Sequence, residues 1–482
     1  MTIEGLGRLQ RYRSLVDDWQ AFREAVQRPL PIAIWSHPLR TTPAALAARL
    51  GSSAQPVAGR PGVFRLPPGD RPGNRIEFAA GLFHVQEEAS QIPPHLLAPR
   101  SGERVLDLCA APGNKTAQIA LAMDNRGTVV ANDRDRNRLG PLRRVLDRLG
   151  IANTVVVQRD AAGYPGASGY FDRVLADVPC SCEGTVRKSP EVLARQPDYQ
   201  RLARVQRAIL AAAVRLTRPG GRIVYSTCTF APEENEAVID WQLRRGGVSL
   251  VPAELAGYRL SSGLSEWQGQ RFDSSLVRAR RLWPHHNDTG GFFVAVLEKA
   301  ATGAPFNGVA GPPPAVDPEP CLEVFGQRFG IPARAFEGYR LVAATQGRLA
   351  LVPDDLELLE APVPRGVGLP LLRSAMRPPK PTSAAALLLH SWATKNVVEL
   401  DDRQADDFLR GGEPGLAEAA LGACTDTGYV LVRFQGLGLG LGWLNRRSAG
   451  ASLRSQLPAG WRWAPRRDLD SAFQIPSAAA EQ

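Results

Sequence analysis

The sequence lacks several features that would assign a class of protein at once. No run of about 18 uncharged apolar residues occurs, so no membrane-spanning helix is expected. The first residues, MTIEGLGRLQRYR, lack the apolar segment of a signal peptide. Six cysteines in 482 residues are too few for a disulfide framework. We therefore expect reduced thiols and a cytoplasmic protein.

The familiar spacings of metal ligands are also missing. The sequence contains neither a C-x-x-C pair nor an H-x-x-x-H pair. Because structural zinc sites are usually built from such pairs, we expect no metal site.

Lysine is scarce, although the chain is basic. Only five of the 58 basic residues are lysine, and the formal net charge is +10. An excess of positive charge favours a polyanionic partner such as nucleic acid. A GC-rich genome also enriches arginine, so part of the charge can reflect composition alone.

The length and the local composition predict several domains. Residues 301–319 are rich in proline, glycine and alanine and are typical of a linker. We expect a small N-terminal α/β module at 1–80, a large α/β domain at 81–300, an intermediate domain at 320–375, a C-terminal domain at 376–470 and a flexible tail at 471–482.

Short apolar runs alternate with amphipathic segments between residues 101 and 300. Alternation of strands and helices at this spacing predicts a Rossmann-like, doubly wound and mostly parallel sheet. The candidate strands are 104–108, 128–132, 154–157, 173–176 and 222–226.

The segment VLDLCAAPGNKT (105–116) reads as a strand, a turn of small residues and a helix. It matches neither the P-loop nor G-x-G-x-x-G, so it is not built to wrap a pyrophosphate in either way. In a doubly wound sheet, such a turn places backbone N–H groups beside a ligand. A plain strand–turn–helix is the alternative.

Acidic residues follow the next two predicted strands. Asp133 is placed to accept hydrogen bonds from a ribose diol, or alternatively to cap the following helix. Arg138 would close over the ligand or point into solvent. Asp160 would accept a hydrogen bond from an adenine amine, or be an ordinary loop carboxylate.

Two cysteines follow the last two predicted strands. Asp177 and Cys180 come after the fourth strand, with Pro179 stiffening the turn. Cys228 comes after the fifth strand, and Pro232, Glu233 and Glu234 resemble a helix start. A lone cysteine is usually a buried structural residue. Two cysteines at adjacent strand ends are instead expected to face one crevice.

Together these segments resemble the Sun family of RNA cytosine-5 methyltransferases. The pieces that carry the resemblance occur in the family's order between about residues 81 and 299: GLFHVQEEAS (81–90), LDLCAAPGNKT (106–116), ANDRDRNRL (131–139), FDRVLADVPCSCEGT (171–185), YSTCTFAPEENE (225–236) and RLWPHHNDTGGFFVAVLEK (281–299). Cys182 is a departure, because the family usually has glycine or alanine there.

The resemblance implies S-adenosylmethionine as methyl donor. It assigns Asp133 and Arg138 to the ribose, Asp160 to the adenine and Asp177 to the wall near the target base. It makes Cys228 the nucleophile, gives Cys180 a role in product release and leaves the role of Lys115 least defined. The methionine part would be held by Cys109, Ala110, Ala111, Pro112, Gly113, Asn114 and Lys115.

The flanking regions bear on the substrate. Residues 1–80 loosely resemble the family's N-terminal RNA-binding module, and residues 321–463 resemble the C-terminal regions of the bacterial small-subunit ribosomal RNA branch, which end in a PUA-like module. Candidate phosphate contacts, or solvated surface residues, are Arg446, Arg447, Arg454 and Arg462. We expect a monomer that methylates RNA, with ribosomal RNA favoured.

Three alternatives stay open at this point. The same chemistry could act on transfer RNA. The chain could be a non-catalytic RNA-binding or ribosome-assembly factor, but both motif cysteines are present. An amino-group methyltransferase is suggested by Asp177-Val178-Pro179, but attack by an exocyclic amine needs no thiol.

Overall fold

The computed structural model describes residues 7–464, except 167, 195, 304, 305, 307, 345, 346, 425, 448 and 449. Its N-terminal part is a small α/β unit with an antiparallel sheet of four strands in the order Gln55–Pro56, Val63–Leu66, Ile32–Ser36 and Phe83–Val85. Short helices flank this sheet at Gln10–Leu15, Trp19–Ala25, Pro43–Leu50, Pro72–Asn74 and Ile76–Ala79.

The central domain contains the predicted parallel sheet. Its five parallel strands are β1 (Arg104–Asp107), β2 (Thr128–Asn132), β3 (Thr154–Val157), β4 (Phe171–Asp177) and β5 (Thr217–Thr227). Its main helices are α1 (Asn114–Ala122), α2 (Arg136–Arg148), α3 (Tyr199–Leu216) and α4 (Glu236–Arg245). The strands pair in the order β3-β2-β1-β4-β5, so the winding reverses between β1 and β4. Ligands of doubly wound folds bind at this reversal.

Antiparallel strands extend the parallel centre into a mixed sheet of ten strands. Phe292–Lys299 pairs with β5. Arg280–Leu282 and Val248–Val251 each pair with Phe292–Lys299, and Ser261–Ser262 pairs with Arg280–Leu282. At the opposite edge Gly366–Val367, from far along the chain, pairs with β3. Further short elements are Ala89–Gln91, Ile92–Leu97, Glu183–Thr185, Pro190–Ala194, Glu266–Trp267, Gln270–Arg271, Ser274–Arg278 and Pro284–Asn287.

Alternate residues of the parallel strands face opposite sides of the sheet, and both sides are buried. Leu106 and Val174 belong to the apolar core that includes residues of α3, whereas Val105 and Val224 belong to the core that includes residues of α1. Strands covered on both faces read as continuous apolar runs, which explains why the sequence predicts them well.

The C-terminal region contains a sheet of four strands and a sheet of five strands. The first has the strand order Tyr339–Ala344, Arg348–Pro353, Leu369–Arg373 and Lys380–Pro381; the second has the order Val397–Glu399, Gly428–Phe434, Leu437–Arg447, Gly450–Ser455 and Gly415–Leu416. The accompanying helices are Glu319–Phe329, Ala333–Phe336, Ser383–Leu389, His390–Trp392, Asp402–Arg410, Glu418–Ala420 and Ala459–Trp461.

Part of the segment 301–319 packs against neighbouring elements. Ala310–Gly311 pairs with Leu358–Leu359, and the ring of Phe306 lies 4.7 Å from that of Tyr170. The domain boundaries stay predictions, and the predicted tail at 471–482 lies outside the described residues. Within residues 7–464, apart from the gaps given above, no helix has the length and apolar character needed to cross a bilayer.

A buried ion pair fastens an antiparallel strand to the start of α4. The Arg281 guanidinium donates to Glu236 Oε1 at 2.7 Å and to the Phe230 carbonyl at 2.9 Å. The side chains of Arg281 and Glu236 are 3% and 0% exposed. Removing one partner leaves a buried charge without compensation, so Arg281→Met should lower the free energy of unfolding by about 3–5 kcal/mol.

Chemical denaturation measures this loss, and an exposed ion pair in the same chain provides the control. Arg271 and Glu266 are 89% and 53% exposed and lie 3.9 Å apart. Arg271→Met should therefore change the stability by less than about 1 kcal/mol. Equal effects of the two substitutions would show that the buried pair does not hold this strand.

Candidate active site

The turn between β1 and α1 forms one wall of a cavity. Gly113 precedes α1 with a φ of +105°, and a Cβ there would lie 2.8 Å from Leu142 Cδ1 on α2. Only glycine tolerates both this conformation and this approach. At the end of β1, burial raises the pKa of Asp107 to about 7, and its Oδ2 accepts a hydrogen bond from Thr116 at 2.7 Å. The hydrogen bond between Thr116 and Asp107 anchors the loop that the family resemblance assigns to the methyl donor.

The cavity has a volume of about 520 Å³ and is lined by residues that follow β1 and β4, the two strands between which the winding reverses. Most residues singled out from the sequence line it, namely Cys109, Ala111, Pro112, Asn114, Lys115, Asp133, Arg138, Asp160, Asp177, Cys180 and Cys228. Ala110 and Gly113 do not, because Ala110 is buried and its N–H donates to the Asn132 carbonyl, while Gly113 shapes the turn. Ala110 and Gly113 therefore contribute to the site by fixing the backbone conformation of the turn.

Several lining residues were not singled out from the sequence. Glu87, Ser90 and Phe292 line the cavity and lie within the segments that carry the family resemblance. Those segments could therefore have identified them as site residues. Val205 and Ile209 come from the middle of α3, where the sequence shows only helical periodicity. Arg187 and Lys188 follow the Cys180 loop and add positive charge at the wall.

Asp133 is held by its surroundings and still faces the cavity. One carboxylate oxygen accepts the Ala111 N–H at 3.2 Å, and the other accepts the Asp135 N–H at 2.9 Å. Arg138 lies 3.4 Å from the same carboxylate and donates to the Ala111 carbonyl at 2.5 Å. Asp135 caps α2, so capping is not the role of Asp133. A carboxylate has about four acceptor positions, which leaves capacity for a diol.

The lining of the cavity also includes an exposed carboxylate and apolar side chains. Asp160 is exposed, and its Oδ1 accepts the Ala162 N–H at 3.1 Å. Pro179, Val205 and Ile209 line the same cavity. Apolar walls together with a hydrogen-bond acceptor suit a flat heterocycle that carries an amine.

Lys115 and Asp177 form an ion pair inside the cavity. Lys115 Nζ lies 2.8 Å from Asp177 Oδ2, and Ser226 Oγ donates to Asp177 Oδ1 at 2.7 Å. Burial alone would lower the pKa of Lys115, but the ion pair with Asp177 outweighs it and the pKa lies above its usual value. The ion pair and the hydrogen bond from Ser226 fix the orientation of the Asp177 carboxylate at the end of β4.

The two motif cysteines meet as the sequence predicts. Cys180 Sγ lies 3.5 Å from Cys228 Sγ, although the residues come from loops after different strands. A third sulfur is close, because Cys182 Sγ lies 3.9 Å from Cys180 Sγ. The group has no C-x-x-C spacing, because Cys180 and Cys182 are separated by one residue and Cys228 is distant in the sequence.

Three thiols this close ionise as one group. Hydrogen bonds with Cys180 and Cys228 lower the pKa of Cys182, whereas the bond to Cys182 raises the pKa of Cys180. For Cys228 the bond with Cys180 lowers the pKa, but Cys182 and burial outweigh it and leave it above its usual value.

Buried carboxylates hold the two cysteine loops together. Glu234 accepts the Ser181 N–H at 3.0 Å and the Gln206 amide at 2.7 Å, and Ser181 Oγ lies 2.6 Å from Thr229 Oγ1. The expected helix start at Pro232–Glu234 is wrong, because α4 begins at Glu236. Glu234 and Asn235 instead serve tertiary contacts, with Asn235 accepting from Thr227 Oγ1 at 2.6 Å.

Glu234 makes the stability of the fold depend on pH. Burial raises the pKa of Glu234 from 4.5 to about 7, so the folded state binds the proton more tightly than the unfolded state. This contribution is fully present below pH 4.5 and is lost as the pH rises through 7, by about 3 kcal/mol at about 1.4 kcal/mol per unit. Glu234→Gln should remove that loss.

Denaturation of both proteins at pH 5 and pH 8 tests this. The variant should gain stability relative to the wild type at pH 8, with a much smaller difference at pH 5. Other groups with raised pKa values, such as Asp107, are present in both proteins and cancel. Parallel pH profiles would contradict the assignment to Glu234.

Comparison with known proteins agrees with this geometry. A crystal structure of a methyltransferase homologue protein from Pyrococcus horikoshii superposes with a TM-score of 0.52 and 31% identity, over 62% of this chain and all of that chain. The order of the parallel strands, the cavity at the reversal and this likeness define the class: a Rossmann-like, S-adenosylmethionine-dependent methyltransferase.

The family follows from two sequence models and from full-length similarity. Residues 94–298 match the 16S rRNA methyltransferase RsmB/F model, and residues 395–463 match the methyltransferase RsmF PUA domain. The ribosomal RNA small subunit methyltransferase F of Aeromonas hydrophila is 32% identical over 88% of this chain and 91% of its own length. The chain therefore belongs to the RsmB/F methyltransferase family and carries a C-terminal PUA domain.

Other relatives align over a smaller share of this chain. The mouse 28S rRNA (cytosine-C(5))-methyltransferase is 36% identical over 59% of this chain, but the match spans only 37% of the mouse protein. The tRNA (cytosine(49)-C(5))-methyltransferase of Pyrococcus abyssi is 38% identical over 47% of this chain and 73% of its own length. The relatives of this chain are thus named for different RNAs.

The arginines proposed for phosphate contact differ in their surroundings. Arg446 donates to the Cys424 carbonyl at 2.7 Å and pairs with Glu418, so it is engaged within its own domain. Arg454 and Arg462 are exposed. The side chain of Arg447 lies outside the described part of the structure. Phosphate contact by these residues stays a prediction.

Proposed function

We propose that the protein transfers a methyl group from S-adenosylmethionine to carbon 5 of a cytosine in small-subunit ribosomal RNA, through a covalent bond between Cys228 and the base. The observation that carries this proposal is the 3.5 Å separation of Cys180 Sγ and Cys228 Sγ at the wall of a cavity that also contains Asp177. Methylation of an amino group would not need two thiols.

The residues of the cavity fit the methyl donor. The carboxylate of Asp133 would hold the ribose hydroxyls, with Arg138 fixing that carboxylate. Asp160 and the apolar side chains of Val205 and Ile209 would hold the adenine. The 109–115 turn, including Cys109 and Lys115, would surround the methionine part. When bound, the donor supplies an electrophilic methyl group.

Cys228 and its neighbours activate the base. Carbon 5 of cytosine is a poor nucleophile until a thiolate adds to carbon 6, which makes carbon 5 enamine-like. Cys180 Sγ is close enough to exchange a proton with Cys228 Sγ. The fixed Asp177 carboxylate would accept a hydrogen bond from the cytosine edge and stabilise transient protonation of ring nitrogen 3. Lys115 holds the Asp177 carboxylate in its orientation.

Release of the product needs a second group. After methylation the proton on carbon 5 must leave, and the bond between Cys228 and carbon 6 must break. Cys180 borders the same space and can accept or relay that proton. The target base must be unstacked to reach the cavity, so single-stranded or locally opened RNA is expected.

Similarity through the PUA domain supports ribosomal RNA as substrate. The Aeromonas relative named for the small subunit aligns over 88% of this chain, whereas the transfer RNA enzyme aligns over 47%. We also propose that the protein acts as a monomer in the cytoplasm, where a reducing environment would keep the Cys228 thiol free.

Bisulfite sequencing of total RNA from a strain that lacks the gene tests the proposal. One 5-methylcytosine should disappear from small-subunit ribosomal RNA and return when the wild-type gene, but not Cys228→Ala, is restored. Loss of a 5-methylcytosine from transfer RNA instead would show that the substrate is transfer RNA, while the proposed reaction would stand. An unchanged pattern in all RNA would reject the function.

A further inference from the structure

Cys182 has no part in the proposed reaction, yet its sulfur completes a triangle. The sulfurs of Cys180, Cys182 and Cys228 all lie within 4.8 Å of one another, with two of the separations at 3.5 and 3.9 Å. All three side chains are half-buried and border the cavity. One face of the triangle is therefore open to a further ligand.

The backbone holds Cys182 in a conformation that disfavours a side chain. Its φ is +61°, in the left-handed region where a non-glycine residue costs about 1–2 kcal/mol. Its Sγ also lies 3.3 Å from the Cys180 carbonyl, which turns the thiol towards its neighbours. The chain thus places a third thiol at a position where only a glycine would sit without strain.

The spacing of the sulfurs matches a known coordination geometry. A Zn–S bond is about 2.3 Å, which puts tetrahedral thiolate ligands about 3.8 Å apart. We propose that Cys180, Cys182 and Cys228 form a thiolate site for a soft metal ion such as Zn²⁺, with the fourth position facing the cavity. This site would need little rearrangement of the loops.

A bound metal ion would make the sulfur of Cys228 unavailable as a nucleophile. Each thiol that binds loses its proton to solvent and forms one S–metal bond, with no change in oxidation state. Cys228 is then unable to add to cytosine until the ion leaves. Metal binding itself is independent of the proposed function, whereas inhibition by the metal rests on it.

Titration of the reduced, untagged full-length protein with Co²⁺ tests the binding. The wild type should bind one ion with an intense thiolate-to-cobalt charge-transfer absorption that Zn²⁺ displaces. Cys182→Gly, which suits the left-handed backbone, should weaken binding at least about tenfold. Cys321→Ala removes a cysteine buried in another core and should bind like the wild type.

The spectrum separates this site from a second group of potential ligands. Asp17 lies 2.8 Å from His285 Nε2 and 2.9 Å from His286 Nε2, and these residues offer no sulfur. Binding without a thiolate charge-transfer band would overturn the proposal. Equal affinity and equal spectra for the wild type and Cys182→Gly would also overturn it.

Methylation assays then test the consequence. Zn²⁺ should inhibit the wild type reversibly, with chelation restoring activity, and inhibition of Cys182→Gly should need at least about tenfold more Zn²⁺. Equal sensitivity would overturn the inhibitory role of Cys182. If neither protein methylates RNA but the Co²⁺ spectra differ as expected, the proposed function fails and the metal site stands.

Discussion

Cys228→Ala should abolish methylation and leave RNA binding intact. Cys228 Sγ borders the cavity and, within the proposed mechanism, forms the covalent bond that activates the base. Removing a catalytic nucleophile commonly costs about 10⁴-fold or more in turnover. The substitution deletes one half-buried sulfur, so the fold and the RNA affinity should change little.

Single-turnover methylation with radiolabelled donor measures this loss, and a filter-binding assay measures the RNA affinity. Cys321→Ala provides the control, because that cysteine lies in a separate apolar core. Retained turnover in Cys228→Ala would reject the covalent route and reopen the possibility of amino-group methylation.

Cys180→Ala should trap the enzyme on its RNA. The thiol would no longer be available to help remove the carbon-5 proton, although Cys228 could still attack and the base could still be methylated. A protein–RNA adduct that survives denaturing electrophoresis should then accumulate to a large fraction of the enzyme, while wild-type enzyme shows little. Multiple turnover should fall sharply, since each molecule completes the first half of the reaction only.

The double variant Cys180→Ala with Cys228→Ala identifies the bond. It should form no adduct, because the attacking sulfur is absent. If Cys180→Ala alone gives no adduct while it still consumes donor, then Cys180 does not serve release. An adduct in the double variant would place the attachment at another residue.

The positions of the main catalytic groups could be predicted from the sequence because each follows a strand that is buried on both faces. Continuous apolar runs predict β2 and β3 with the bounds that the structure shows. Parallel strands end at one edge of a sheet, so Asp133, Asp177 and Cys228 must gather there. The short segments around them carry the family resemblance, which supplied the roles.

The contacts that hold the site together could not be predicted, because they join residues far apart in the chain. Tyr12, from the N-terminal helix, donates to Glu183, whose other oxygen accepts from Tyr199 at 2.6 Å. Glu234 reads locally as a helix start, but its burial against Ser181 decides its role. The sequence shows Cys182 as a departure from the family pattern. Only the folded structure shows that its sulfur lies close to those of Cys180 and Cys228.

The strand Gly366–Val367, which comes from the C-terminal half of the chain, completes one edge of the sheet of the catalytic domain. The N–H groups of Arg365 and Gly368 donate to β3 at 2.7 and 2.9 Å, and this pairing covers the outer side of β3. A fragment truncated after residue 300 would expose the backbone of β3 as a bare edge, and such edges recruit other chains into intermolecular sheets. Self-association of such a fragment would therefore result from the truncation and not from the intact protein. Experiments on the catalytic domain should accordingly use the full-length chain.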